Sequence, residues 1–242
     1  MAMLYFGSVD NGQITWNEAF IKLTRCATPD ASLTSGLWSS LNSYLRGLYM
    51  QRKYWVISDT HFGHANILNF KDNDGRPTRP FSSVEEMNET MVENWNSVVR
   101  PNDNVYHLGD VFFGSKDSFK ELWPRLNGRK TLILGNHDNA YFLSGKYERK
   151  TKKGKTIEEK YFRDILLFKQ FGRFILSHTP LHPSTFQERH RCGRENMINI
   201  HGHIHQNPSP EGPYKCVSVE QTNYTPVDIF EINDHLLRSA IL

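Results

Sequence analysis

The chain has 242 residues, 38% hydrophobic and 23% charged, which fits one large domain, or a domain with an appendage, of ordinary soluble composition. No run approaches the roughly 20 apolar residues of a membrane span, and Met1 to Phe6 lack the basic start and long apolar core of a signal peptide, so no membrane partner is expected. The three cysteines, Cys26, Cys192 and Cys216, are scattered without a C-x-x-C pair, which excludes a disulfide framework or zinc finger and fits a cytoplasmic location.

Residues 1–50 hold an amphipathic pattern (Leu37, Leu41, Tyr44, Leu45, Leu48) and read as a helical N-terminal extension, packed on the core or on another subunit. The main domain is expected over 51–242. Tyr54 to Ser58 reads as a buried strand that ends in Asp59-Thr60-His61. A polar loop with Arg76 and Arg79 follows; solvated arginines are the preferred reading, with a phosphate clamp at Arg79 as the alternative. Ser83 and Glu86 form a capping-box pattern, and Val84, Met87, Met91, Trp95 and Val98 repeat at helical spacing up to Pro101.

Val105 to Leu108 reads as a second strand, ending in Gly109-Asp110. A helix around Phe119, Leu122 and Leu126 stops at Gly128, although Pro124 inside it opposes a regular helix. Thr131 to Leu134 is a third strand, ending in Gly135-Asn136-His137-Asp138. The net charge of +3 is concentrated beyond it: residues 141–170 carry nine Lys or Arg against four Asp or Glu. Lys146 to Lys160 is therefore read as a solvated loop or hairpin, poor in aromatic residues, and a nucleic-acid partner is not favoured.

Ile165 to Phe168 and Arg173 to Ser177 read as two strands around a turn at Phe171-Gly172, with further strands at Met197 to Ile200, Cys216 to Val219 and Val227 to Ile232. A mostly parallel half followed by an antiparallel half predicts an α/β fold. Two mixed β-sheets pack face to face with helices outside, in a four-layer α-β-β-α sandwich.

The apolar runs end repeatedly in the same residue types: Asp59, His61, Asp110, Asn136, His178, His203 and His205. Side chains beyond the carboxyl ends of strands can converge on one point. In an extended Asp59-x-His61 or His203-x-His205, alternate side chains share a face and can reach one ion. Oxygen and nitrogen donors without a thiolate suit Mn²⁺, Fe or Zn²⁺. Seven ligands are too many for one tetrahedral ion and fit two with a bridging carboxylate, and such a pair serves in-line displacement at phosphorus.

Asp59-x-His61, Gly109-Asp110, Gly135-Asn136-His137-Asp138, Ser177-His178 and Gly202-His203-x-His205 occur in an order that resembles the calcineurin-like metallophosphoesterase superfamily, over roughly residues 53–232. Arg79-Pro80-Phe81 and the helix after it resemble its small bacterial and phage branch. The resemblance implies one divalent ion on Asp59, His61, Asp110 and His205, and a second on Asp110, Asn136, His178 and His203. Mn²⁺ is preferred over Fe, Zn²⁺ or Ni²⁺. It further implies attack by a hydroxide bridging the ions, with His137 as general acid. Asp138 would hold the His137 ring.

The expected substrate is a phosphate ester, a cyclic nucleotide or other phosphodiester being favoured over a phosphomonoester of a nucleotide or phosphoprotein. The sequence after Asp110, Val111-Phe112-Phe113-Gly114, departs from the Asp-Arg-Gly continuation of the serine/threonine phosphatase branch. A non-catalytic scaffold of the same fold is the alternative of another class. His64 is read equally as structural or as a phosphate contact, and His182 as a candidate at the mouth of the site. His107 is assigned to packing, and His190, His201 and His235 to no special role.

Overall fold

The computed structural model describes residues 52–72, 74–150, 154–186 and 197–232. The expected N-terminal extension, His190 and His235 lie outside the described residues. In chain order the strands are β1 (Tyr54–Ile57), β2 (Asn104–His107), β3 (Arg129–Ile133), β4 (Lys146–Lys150), β5 (Thr156–Lys160), β6 (Ile165–Leu166), β7 (Phe168–Phe171), β8 (Phe174–Ser177), β9 (Ile198–His201), β10 (Tyr214–Cys216) and β11 (Val227–Asp228). The helices are α1 (Val84–Val98), α2 (Lys116–Leu122) and α3 (Ala140–Leu143).

The first sheet has the order β11-β1-β2-β3-β6 and the second β10-β9-β8-β7, with β4-β5 a separate hairpin. In the first, β1, β2, β3 and β6 run parallel and β11 is antiparallel. Alternation along β1 places its side chains on two faces. Val56, with Leu108 and Ile133, meets Phe174, Leu176, Ile198 and Ile200 of the second sheet in one buried cluster. Trp55 and Ile57 face the other way, into a cluster with Met87, Met91 and Trp95 of α1 and Phe119 and Leu122 of α2. This is the expected α/β sandwich, with two sheets face to face and helices on the outer face of the first.

Helix α1 starts where the capping pattern places it: the Ser83 hydroxyl accepts the Glu86 amide at 3.1 Å. The Glu86 carboxylate turns back one residue further than the usual box, to the amide and hydroxyl of Ser82. Pro124 is accommodated because α2 stops at Leu122 and the chain tightens into a 3-10 turn, Trp123–Arg125, where proline sits near the start and no donor is missed.

Two expectations are corrected. The second half is not antiparallel throughout: β8, β9 and β10 run parallel, and β7-β8 is the antiparallel pair of that sheet. The reason lies in the apolar runs of β8 and β9, which are buried along their whole length as parallel strands require. The run Ile165 to Phe168 is also two strands. Leu167, 73% exposed, separates β6, which pairs with β3, from β7, which joins the other sheet. The basic segment forms the β4-β5 hairpin, in which Lys146 pairs with Glu158 and Arg149 with Glu159. No helix among the described residues is long and apolar enough to cross a membrane.

Candidate metal centre

The ends of β1, β2, β8 and β9 deliver Asp59 and His61, Asp110, His178, and His203 and His205. The backbone turns sharply as each run leaves the sheet. Asp59 (φ 57°), His61 (46°), Asp110 (56°), His203 (71°) and His205 (51°) all adopt left-handed conformations. Such geometry costs a non-glycine residue on the order of 1 kcal/mol, and Asp and His tolerate it better than most. The expectation that Asp59-x-His61 and His203-x-His205 converge as extended strands is therefore wrong; left-handed turns aim both pairs.

Close approach of the turns requires glycine. A Cβ on Gly202 would lie 2.3 Å from Asp59 Oδ2 and 2.0 Å from Ser58 Oγ. At Gly109, with φ 96°, it would lie 2.6 Å from the Gly135 Cα and 2.7 Å from His178 Nδ1.

Two triads result, Asp59, His61 and His205, and Asp110, His178 and His203, each with its donor atoms within 4.8 Å of one another. Asp110 stands between them: its Oδ2 lies 3.7 Å from His61 Nε2 and 3.5 Å from His178 Nε2. The free positions on each ring are set from behind. His178 donates Nδ1–H to the Leu108 carbonyl at 2.7 Å, leaving Nε2 to face Asn136 Oδ1 at 2.8 Å and His203 Nδ1 at 3.2 Å. His205 donates Nδ1–H to Glu220 Oε1 at 3.0 Å, leaving Nε2 free. Asp59 Oδ2 is taken by the Ser218 hydroxyl and the His203 amide, both at 2.8 Å.

What remains fits a cation. Asp59 Oδ1 and both ring nitrogens of His61 are buried without a hydrogen-bond partner among the described residues, a costly state for polar atoms unless another ligand satisfies them. Burial, and then the charge of Arg79, push the His61 pKa far down, so the ring stays neutral with a lone pair to offer. Burial and His178 lower the pKa of His203 in the same sense.

The family model of the calcineurin-like phosphoesterases matches the chain over residues 52–230. The chain belongs to this family. It is a metal-dependent phosphoesterase by that membership and by its ligand groups. It is 37% identical to the uncharacterized protein MJ1445 of Methanocaldococcus jannaschii, over 74% of this chain and 88% of that protein. The gene 66 protein of Mycobacterium phage L5 is 33% identical, over 62% of this chain and 76% of its own. Among solved structures, the protein of unknown function AQ665 from Aquifex aeolicus is similar, with a TM-score of 0.52 and 28% identity, over 76% of this chain and 99% of that one.

Within this phosphoesterase, Asn136 and His137 are exposed beside the triads. His137 is anchored through its amide, which Asp110 Oδ1 accepts at 2.9 Å. Its ring meets Phe113 edge-on at 5.1 Å and lies 6.0 Å from that of His61. Asp138 does not orient this ring as expected. Its carboxylate accepts the amides of Gly135 at 2.8 Å, Asp110 at 3.0 Å and Val111 at 2.9 Å, so it clamps two ligand loops together.

Arg79 is neither a phosphate clamp nor a solvated arginine. It is fully buried, its guanidinium bonded to the carbonyls of Asp59 and Thr60 and to Glu220, because the ligand turn leaves those carbonyls facing inward. His64 stacks on Phe113 at 4.4 Å and lies 5.5 Å from His61. His182 is exposed and its Nδ1 caps the turn Pro183–Thr185 through Ser184. His107 and His201 are buried and structural, the first bonded to Thr60 and the second to Gly202 and Ser209.

Sequence reasoning missed Ser218, Glu220 and Phe113. Ser218 and Glu220 follow β10 at alternate positions, but a lone serine and glutamate after a strand carry no signal. Phe113 was visible as the third residue after Asp110 without its contacts.

Proposed function

We propose that this phosphoesterase holds two divalent cations, Mn²⁺ preferred, and hydrolyses phosphodiesters, cyclic nucleotides among the candidates, in the cytoplasm. The observation that carries the reading is the placement of Asp110 Oδ2 between His61 and His178, which suits a carboxylate shared by two ions. Asp59, His61 and His205 would hold one ion, and Asn136, His178 and His203 the other. Bound there, the ions would supply Lewis acidity toward phosphoryl oxygens and lower the pKa of water to give hydroxide at neutral pH.

The chain's own groups complete the step. The new P–O bond forms from hydroxide as the ester P–O bond breaks, and His137, exposed and held at its amide by Asp110, gives its proton to the departing oxygen. The bias toward a diester rests on charge. Arg79, whose charge bears on both His61 and His64, is spent on Glu220 and backbone carbonyls, so it cannot neutralise the second charge of a monoester. The free, buried Cys216 fits a reducing compartment.

The test is hydrolysis of chromogenic diesters and monoesters by metal-stripped protein reloaded separately with Mn²⁺, Ni²⁺ and Zn²⁺. Restored diesterase activity exceeding the monoesterase activity is expected. Higher monoesterase activity would reverse the substrate preference, and folded, metal-loaded protein inert toward the whole panel would favour a non-catalytic scaffold.

A further inference from the structure

Arg79 and Glu220 form an ion pair that the reaction does not use. Both side chains are buried, at 0% and 3% exposure, and both Nε and Nη2 of Arg79 lie 2.8 Å from Glu220 Oε1. That same oxygen accepts Nδ1–H of His205 at 3.0 Å. On its other side the guanidinium donates Nη1 to the Thr60 carbonyl at 2.8 Å and Nη2 to the Asp59 carbonyl. One continuous set of bonds therefore runs from the Asp59 turn through Arg79 and Glu220 to His205, across residues separated by more than 140 positions in sequence.

This chain of contacts bears directly on the rings of one triad and touches the other only at Asp59 Oδ2, which accepts the His203 amide at 2.8 Å. The other is supported by different atoms: the Leu108 carbonyl behind His178, and the Asp138 carboxylate on the Asp110 amide. A buried arginine beside a cation site also needs its charge cancelled, and Glu220 does so while remaining the acceptor for His205. Carboxylates behind metal-bound histidines fix the tautomer and ring orientation, and losing one typically weakens metal binding by roughly 10–100-fold.

We infer that the Arg79–Glu220 pair is a positioning device for one cation site, that of Asp59, His61 and His205, and sets its affinity more strongly than that of the site of His178 and His203, which it reaches only through the shared Asp110 and the His203 amide on Asp59. The inference rests on the reading that both triads bind cations. Glu220 touches neither substrate nor ion; it acts through His205, by keeping Nδ1 protonated and the Nε2 lone pair aimed into the site.

The experiment is calorimetric titration of the metal-stripped full chain with Mn²⁺, for wild type and Glu220→Gln. Glutamine keeps the shape and one acceptor oxygen but removes the charge. Two wild-type sites are expected, of which one weakens about 10–100-fold in Glu220→Gln while the other weakens by several-fold less than the first. Glu220→Asp, with the charge retained on a shorter arm, provides a second variant and should weaken the same single site. In the metal-stripped protein, nitrogen-15 histidine spectra should show one ring, that of His205, losing its fixed Nδ1–H tautomer in Glu220→Gln. Two wild-type sites that weaken equally, or not at all, overturn the inference alone. A wild-type titration without two sites overturns the dinuclear reading and this inference with it.

Discussion

Asp110 holds the backbone of His137: its Oδ1 accepts the His137 amide at 2.9 Å, while Oδ2 faces the histidines of both triads. In the proposed mechanism, the shared anion and the position of the proton donor both depend on this one side chain. Asp110→Asn keeps an oxygen for the amide and removes the charge. Its loss of kcat should exceed the roughly 10–100-fold that a change behind a ligand costs. A loss under tenfold, measured with saturating Mn²⁺, would contradict the central place given to Asp110.

His137→Ala removes the proposed proton donor without touching a triad. The loss of kcat should be on the order of 100-fold or more for esters with poorly acidic leaving groups and far smaller for p-nitrophenolate, which departs without a proton. Equal losses across a leaving-group series would assign His137 a role in binding instead.

Phe113 is 43% exposed, with its ring against His64 and His137. In the proposed site it would form an apolar wall beside the ester substituent. Phe113→Ala should raise KM for aryl diesters several-fold while changing that for dimethyl phosphate little. The same change in both would place the wall outside the substrate's reach.

His107 contributes to the pH dependence of stability. Burial, then the neighbouring His178, lowers its pKa from 6.5 to about 3. The unfolded chain takes up this proton below pH 6.5 and the folded chain not until about 3, so stability is full above 6.5 and falls as the pH drops through that window. The slope approaches about 1.4 kcal/mol per pH unit. In urea unfolding from pH 7 to 4, His107→Gln should have a shallower acid loss than wild type. Parallel curves would show that His107 does not carry it.

Much of the site was legible because its chemistry comes in short local motifs. Asp59, His61, Asp110, Asn136, His178, His203 and His205 each follow an apolar run, and a run that ends in such residues marks a strand end whether or not its pairing is known. The left-handed turns were not legible. Asp and His are compatible with both extended and left-handed backbone, and the folded backbone, with φ 57° at Asp59 and 71° at His203, shows which is used. Arg79 was misread for a related reason. It lies in a polar stretch, between Thr78 and Pro80, and the partner that buries it, Glu220, is 141 positions away. Likewise β9 and β10 looked antiparallel because turn residues flank them, although burial on both faces makes them parallel partners.

The most direct test of the account is a metal count on purified, Mn²⁺-reconstituted protein after removal of loosely held ions, for wild type and Asp110→Asn. Two ions per wild-type chain, falling to one or fewer in Asp110→Asn, is the predicted result. A single ion in the wild type, or two ions retained without the Asp110 charge, would contradict a carboxylate shared between two sites.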